Sequence, residues 1–421
     1  MDQLYFGFAK ADITPAIADG VYLDGYGFRL SPAEGILSPI EAKVCVLQGG
    51  ANGVPFALFS IDVCGFSDQV HHRLRNWISL LTPLAQDRIA LCATHTHAGP
   101  AAGVLWGLPV NMLYWDKVGK QLGVLANEAL ADLEAGELRL SYGTPFTASA
   151  NRRGREIIDR RVPVLAAYGK DGALRGVIAS ASCHAVASND MRISADYPGV
   201  MAEIVGAKCG VPVLFLQGRG ADINPTEDAM SAGKTRPQVP GEVLAASVLA
   251  GLTASADCVV TNGDVRSVTR TVELPYAYPS MEEIEEKLAS LKTSFAENFK
   301  PRSTEMDLLW HEMARNEVAG GNQFVQVPVL LQLVSVGDIT LAFLPFEVLT
   351  STGNAIEAML PQHTLVIGYA NGTHGYMAPA DECGLGDYET CRSAHWYGMP
   401  ECIPATEQAL LRELCTLSEE L

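Results

Sequence analysis

The stretch Arg88–Pro100, RIALCATHTHAGP, sets an apolar run against an abrupt polar stop in which His95 and His97 lie one residue apart. RIALCAT has the length and apolar content of a buried strand. Runs of the same kind recur as AKVCVLQ (42–48), PFALFSIDV (55–63), VPVLAAYG (162–169), RGVIASASC (175–183), VPVLFLQG (211–218), ITLAFLP (339–345) and TLVIGYA (364–370). Many are flanked by segments of helical period: DQVHHRLRNWISLL (68–81), WDKVGKQLGVLANEALADL (115–133), PGVMAEIVGAKC (198–209) and GEVLAASVLAGL (241–252). That alternation predicts an α/β protein with a mixed β-sheet core and flanking helices.

Five of these strands stop at polar groups. RIALCAT ends at His95 and His97, RGVIASASC at His184 and ITLAFLPF at Glu347, while VPVLFLQG runs into RGADINP and TLVIGYA into NGTHGYMAP. Loops beyond the carboxyl ends of strands converge on one crevice, so a common metal site is expected there. In an extended segment residues i and i+2 share a side, which turns His95 and His97 toward the same crevice. The pair then ligates a metal together, or divides into one ligand and one proton carrier, or is a hydrogen-bonded structural pair. His184 and Glu347 favour a metal, because two histidines and a glutamate with one open position form a recurrent catalytic zinc set.

Other patterns are excluded or left structural. A metallo-β-lactamase signature would continue HxHxDH, but Ala98, Gly99 and Pro100 follow, and a TIM-barrel amidohydrolase carries its HxH on the first strand, whereas two strands precede this one. QGRGADINP begins like a dinucleotide turn at Gly218 and Gly220, yet Ile223 stands at the third glycine and Asn224-Pro225 does not open a helix. Asp222 reads either as support orienting a histidine or as a turn before Pro225. His71 and His72, with His311, His363 and His395, read as surface or structural, and His374 stays open.

At 421 residues and 48% hydrophobic content the chain can fill a sizeable core. Its 30 basic against 48 acidic residues give a net charge of -18, which repels nucleic acid and anionic lipid. No run approaches the roughly 18 apolar residues of a membrane span, and the N-terminus has no leader pattern, so a cytoplasmic protein without stable membrane insertion is expected. Ten cysteines scattered without a CxxC pair read as reduced, buried thiols. The charged segment 280–317, with a Pro301-Arg302 break, predicts a helical hairpin inserted in the sheet sequence, either a solvated face or a lid. One integrated domain over 1–421 is expected, and a homo-oligomer is allowed.

Taken in order, ADITP, GYGFR, GILSPIEAKVCVL, ATHTHAGP, Asn151-Arg152, SCHAVAS, ISADYPG, LQGRGADINP, PFEV and ANGTHGYMAPADEC with Tyr388-Glu389 resemble the neutral, non-lysosomal ceramidases, zinc-dependent amidases that cleave the N-acyl bond of ceramide. By that resemblance His95, His184, Glu347 and Tyr376 fall on the zinc ligands, and His97 and Arg152 on an active-site pair for proton transfer and oxyanion binding. The resemblance implies Zn2+ as cofactor and a zinc-activated water as nucleophile. Composition and spacing alone do not select Tyr376.

Two departures shape the expected substrate. GADINP places Asn224 where the family carries serine, which excludes a nucleophile there and allows an amide that orients water or substrate. The C-terminal immunoglobulin-like domain of longer members has no counterpart. A small soluble N-acyl compound is therefore expected rather than ceramide. The alternatives are a zinc hydrolase or lyase acting on an ester or glycosidic C–O bond, and a non-catalytic zinc-containing binding protein.

Overall fold

Phe56–Ile61, FALFSI, is buried at every position. A strand alternates its side chains between two faces, so a run without polar positions needs an apolar partner on each. The computed structural model, which describes residues 3–297 and 302–421, supplies both. Phe56 and Leu58 point into a layer shared with a second sheet, while Ala57, Phe59 and Ile61 point toward helices.

The larger sheet has nine strands, ordered Val213–Gln217, Leu174–Ala181, Pro163–Gly169, Glu134–Tyr142, Leu4–Asp12, Glu41–Gly49, Phe56–Ile61 and Ile89–Ala93, with Cys258–Val260 also pairing on Glu134–Tyr142. Its inner pairings are antiparallel, whereas the two edge strands run parallel to their neighbours. The sheet curls until those edges approach: Ser60 Oγ donates to Phe215 O at 2.6 Å, and Thr96 bridges to Ala185. The ends of the two parallel edges are thereby brought to one place.

The second sheet runs His363–Ile367, Ile339–Phe343, Phe324–Val336, Val265–Ala277 and Glu401–Cys402. Its inner face meets the larger sheet through Val334, Leu341, Phe343 and Ile367. Helices Asp68–Leu81 and Met112–Ala131 cover one half of the larger sheet's outer face, and Asp196–Cys209 and Gln238–Thr253 the other. Thr350–Met359 and Pro404–Glu420 cover the outer face of the second sheet. The molecule is the expected mixed α/β structure, with a second sheet where the sequence predicted one.

The helical insertion is present as Met281–Glu297 and Arg302–Ala319, joining the long strands Val265–Ala277 and Phe324–Val336. Pro301 of the anticipated break lies outside the described residues. The described residues of the hairpin are not a bare solvated face. Ile284, Leu288, Trp310 and Ala314 form their own small core, and Trp310 Nε1 donates to Met399 O at 2.7 Å, so the hairpin buttresses the segment 393–399. All ten cysteines are free; five are buried, and Cys415 is exposed rather than buried as expected. No described helix is long and apolar enough to cross a membrane.

The rings of Phe56 and Phe343 meet across the two sheets with centroids 6.2 Å apart, both fully buried. Phe343→Ala should lower the unfolding free energy by about 3–5 kcal/mol. Urea denaturation checks this, and an unchanged midpoint would contradict the face-to-face packing of the sheets.

Candidate functional site

Beyond Ala93 the chain leaves its strand and His95 adopts φ 63°, a left-handed conformation that costs a non-glycine residue free energy. The i, i+2 rule for extended chain therefore does not hold here, yet the two rings still meet, with His97 Nε2 3.0 Å from His95 Nε2. The strain is held in place from three sides. Ala93 N donates to Tyr369 O at 3.0 Å, His97 N donates to Ala185 O at 3.0 Å, and the Tyr369 ring stacks on His95 at 4.0 Å. Tyr369 and Asn371 are themselves left-handed, and Asn371 exchanges hydrogen bonds with Leu91.

His184 follows the strand Leu174–Ala181, and its N–H donates to Ile223 O at 2.8 Å. Glu347 and Tyr376 stand opposite each other on a two-residue parallel pair, Glu347–Val348 with Tyr376–Met377, just past the second sheet. Arg152 follows Ser149–Asn151, which pairs antiparallel with Ile223–Pro225 and so carries Asn224 alongside. Six elements thus deliver the seven residues singled out by sequence to one locus.

The histidine tautomers follow from their partners. His95 Nδ1 lies 2.6 Å from Cys64 O and His184 Nδ1 lies 2.8 Å from Gly220 O. A carbonyl only accepts, so both Nδ1 atoms carry a proton and both Nε2 atoms are turned inward. Those nitrogens face Glu347 Oε2, at 3.6 Å from His95 and 3.1 Å from His184. Burial pulls His95 down to about 3, and Glu347, despite burial, is held down to about 2 by His95, His184 and a hydrogen bond from Tyr397. The cluster sets three ligand-type atoms, one of them on an ionised carboxylate, around one point.

That donor set fits a divalent cation. Donors about 2.0–2.1 Å from zinc at tetrahedral angles stand about 3.3–3.4 Å apart, and Tyr376 Oη lies 3.4 Å from His184 Nε2. Cys64 and His97 also come close to His95, but Cys64 Sγ lies 3.7 Å from the protonated Nδ1, and burial pushes its thiol well up. Cys64 is therefore a poor ligand beside the Nε2 set.

Arg152 donates to Tyr376 Oη at 2.8 Å and to Glu389 Oε1 at 2.7 Å, and its Nη1 reaches Asn224 Oδ1 at 3.5 Å. Burial opposes its charge, but Tyr376 and Glu389 hold the guanidinium protonated. His97 is lowered well below its ordinary value by burial and by His95 and His184, and its Nδ1 is buried without a hydrogen-bond partner. The ring rests edge-on against Tyr26 at 5.0 Å.

Several anticipated partners fall elsewhere. Asp222 orients no histidine: it accepts from Asn151 Nδ2 at 2.8 Å and from Thr350 N and Oγ1 at 3.0 and 2.7 Å, tying the Arg152 strand to the helix Thr350–Met359. Backbone carbonyls do the orienting instead. His374 pairs with Asp68 at 3.2 Å, and His71, His311 and His395 are buried, in keeping with the structural member of the two readings.

Residues that spacing did not assign a role complete the site. Tyr397 donates to Glu347 Oε1, Arg29 donates to the His97 carbonyl, and Glu389 holds Arg152. Gly220 brings its carbonyl to His184 only because it has no Cβ, which would lie 2.3 Å from Cys183 N. The GYGFR and Tyr388-Glu389 motifs carried that information without a visible reason. Phe28 and Tyr388, 60% and 36% exposed, form an aromatic rim beside Tyr26 and Tyr376.

No protein-family model matches the chain. The neutral ceramidase of Pseudomonas aeruginosa is 24% identical over 247 residues, which covers 52% of this chain but 37% of that protein's length. A crystal structure of neutral ceramidase from Pseudomonas aeruginosa superposes with a TM-score of 0.77 at 20% identity, covering all of this chain and 75% of that one. A structure of a ceramidase complexed with C2 gives a TM-score of 0.78 at 19% identity, over 99% of this chain and 75% of that one.

Gly25 lies at φ 96°, and a Cβ there would stand 2.3 Å from His97 Cγ, whereas Gly20 at φ 62° has open space around it. Gly25→Ala should destabilise the fold by about 1–3 kcal/mol more than Gly20→Ala, because the added carbon must displace the imidazole. Equal denaturation midpoints for the two variants would contradict the close packing of Gly25 on His97.

Proposed function

Because this chain has the fold of a neutral ceramidase, we propose that it is a zinc-dependent hydrolase that opens an N-acyl amide bond with a zinc-activated water. The observation that carries the reading is the convergence of His95 Nε2, His184 Nε2 and Glu347 Oε2, three ligand-type atoms that a cation among them would bind. Together with Tyr376 they would hold zinc, which supplies Lewis acidity toward a carbonyl oxygen and toward water.

The remaining residues divide the proton work and the charge work. His97 is neutral at pH 7, so it takes a proton from the attacking water and delivers it to the departing nitrogen. Amide and water thereby become carboxylic acid and amine with no covalent enzyme intermediate. Arg152 Nη1 makes a long contact of 3.5 Å to Asn224 Oδ1, which leaves its N–H suited to a developing oxyanion. The Asn224 amide positions water or substrate beside it. Glu389 and Tyr376 fix the plane of the guanidinium.

The proposed substrate is a small soluble N-acyl compound whose apolar group rests on Phe28 and Tyr388. The net charge of -18 supports this over a substrate drawn from an anionic membrane surface. The ten free cysteines support a reducing, cytoplasmic setting.

Purified protein should release amine from a panel of N-acyl compounds in preference to matched esters and glycosides. His95→Ala and His184→Ala should lose metal and activity with the fold retained. His97→Ala should keep its metal and lose about 10²–10⁴ in turnover. A metal-free preparation with full activity would end the zinc reading, and loss of metal in His97→Ala would show that both histidines of the pair are ligands. Arg152→Lys should cut kcat by about 10²–10³ with zinc content unchanged, because a point charge cannot reproduce the planar donor pair. Unchanged kcat would remove Arg152 from the reaction.

A further inference from the structure

Away from that site, a second group of ligand-type side chains closes around a buried atom without a partner. Cys391 lies in the turn Tyr388–Arg392, His395 in the short helix Ser393–Tyr397, and Glu401 on the edge strand Glu401–Cys402. Their ligand atoms all lie within 4.8 Å of one another. Cys391 Sγ is 3.0 Å from Glu401 Oε1, and His395 Nε2 is 3.9 Å from the same oxygen.

His395 is 4% exposed, and among the described residues its buried Nε2 makes no hydrogen bond, with Glu401 Oε1 3.9 Å away. Its other nitrogen, Nδ1, sits 2.7 Å from Asp307 Oδ1 on the insertion helix Arg302–Ala319. A carboxylate accepts, so Nδ1 carries a proton and Nε2 is the nitrogen turned into the group. A carboxylate behind a histidine is the arrangement that orients an imidazole toward a metal. Trp310 stacks on the outer face of the ring at 4.1 Å and fixes its plane.

We propose that Cys391, His395 and Glu401 form a second zinc site, with Asp307 orienting the histidine. Thiolate, imidazole and carboxylate together suit a borderline-soft divalent ion such as zinc, and the separations approach the roughly 3.3–3.8 Å expected between ligands on a tetrahedral zinc. Three protein ligands leave a fourth position for water. Binding converts the Cys391 thiol to thiolate and releases its proton to solvent.

The site would have a mechanical consequence. It joins the insertion hairpin, through Asp307, to the segment that carries Tyr397, and Tyr397 donates to Glu347 in the first site. A metal here stiffens the wall of the proposed catalytic centre without touching substrate. The competing occupant of the same space is a proton shared between His395 and Glu401.

Metal counting on the full chain separates the two. The double variant His95→Ala/His184→Ala empties the first site, so it should still hold one equivalent of zinc after equilibration and desalting, and added Cys391→Ser should remove it. Cobalt loaded into the double variant should show thiolate-to-metal charge-transfer absorption, lost in Cys391→Ser. Glu401→Gln should weaken zinc retention with that absorption kept at saturating cobalt, which covers the case of a serine variant that folds poorly. A double variant with no zinc and no thiolate absorption, or equal metal content with and without Cys391→Ser, would overturn the site.

Discussion

Two buried imidazoles and a buried carboxylate converge on one point, and the rest of the site follows from that constraint. Cys64 O and Gly220 O fix the protons of His95 and His184 on the far nitrogens. Glu347 must then stay ionised in a buried place, and the hydroxyls of Tyr397 and Tyr369 point at its two oxygens. Tyr376, whose hydroxyl burial alone would keep firmly protonated, receives a charged donor from Arg152. Each group beyond the first three compensates a cost that those three impose.

The backbone bears part of that cost. His95, Tyr369 and Asn371 are left-handed without being glycine, each at a penalty on the order of 1–3 kcal/mol, and all three lie where the curled sheet meets the second sheet. The register between sheets over-determines these conformations: Asn371 bonds Leu91 with both its amide and its side chain, and Ala370 bridges Cys92. Strain at the site is thus held by the contacts between the two sheets that adjoin it. The sandwich is the reason that strand ends from opposite edges of one sheet share a crevice.

Much of this was legible in the sequence because buried strands leave continuous apolar runs, and RIALCAT, RGVIASASC and VPVLFLQG mark theirs within a few residues. The strands Val265–Ala277 and Phe324–Val336 escaped notice, being half exposed, alternating in polarity and interrupted by Pro275 and Pro328. His95, His97, His184 and Glu347 stood out as polar groups at the ends of apolar runs. Tyr376 did not, since a tyrosine in a glycine-bounded loop has no spacing signature, and only the ordered resemblance selected it. Asp222 stayed open between a histidine support and a turn, because the backbone carbonyls that orient His95 and His184 leave no trace in a sequence. His395, Asp307 and Glu401 meet only in space, so no local pattern could have joined them.

The central claim is that the convergent acceptors enclose a metal ion rather than a proton. Anomalous diffraction from zinc-replete crystals, recorded on both sides of the zinc absorption edge, tests it most directly. The account predicts a peak about 2.0–2.1 Å from His95 Nε2, His184 Nε2 and Glu347 Oε2, with Tyr376 Oη in reach. A zinc-replete crystal with no peak among those atoms, and a proton-bridged His184–Glu347 pair in its place, would contradict it.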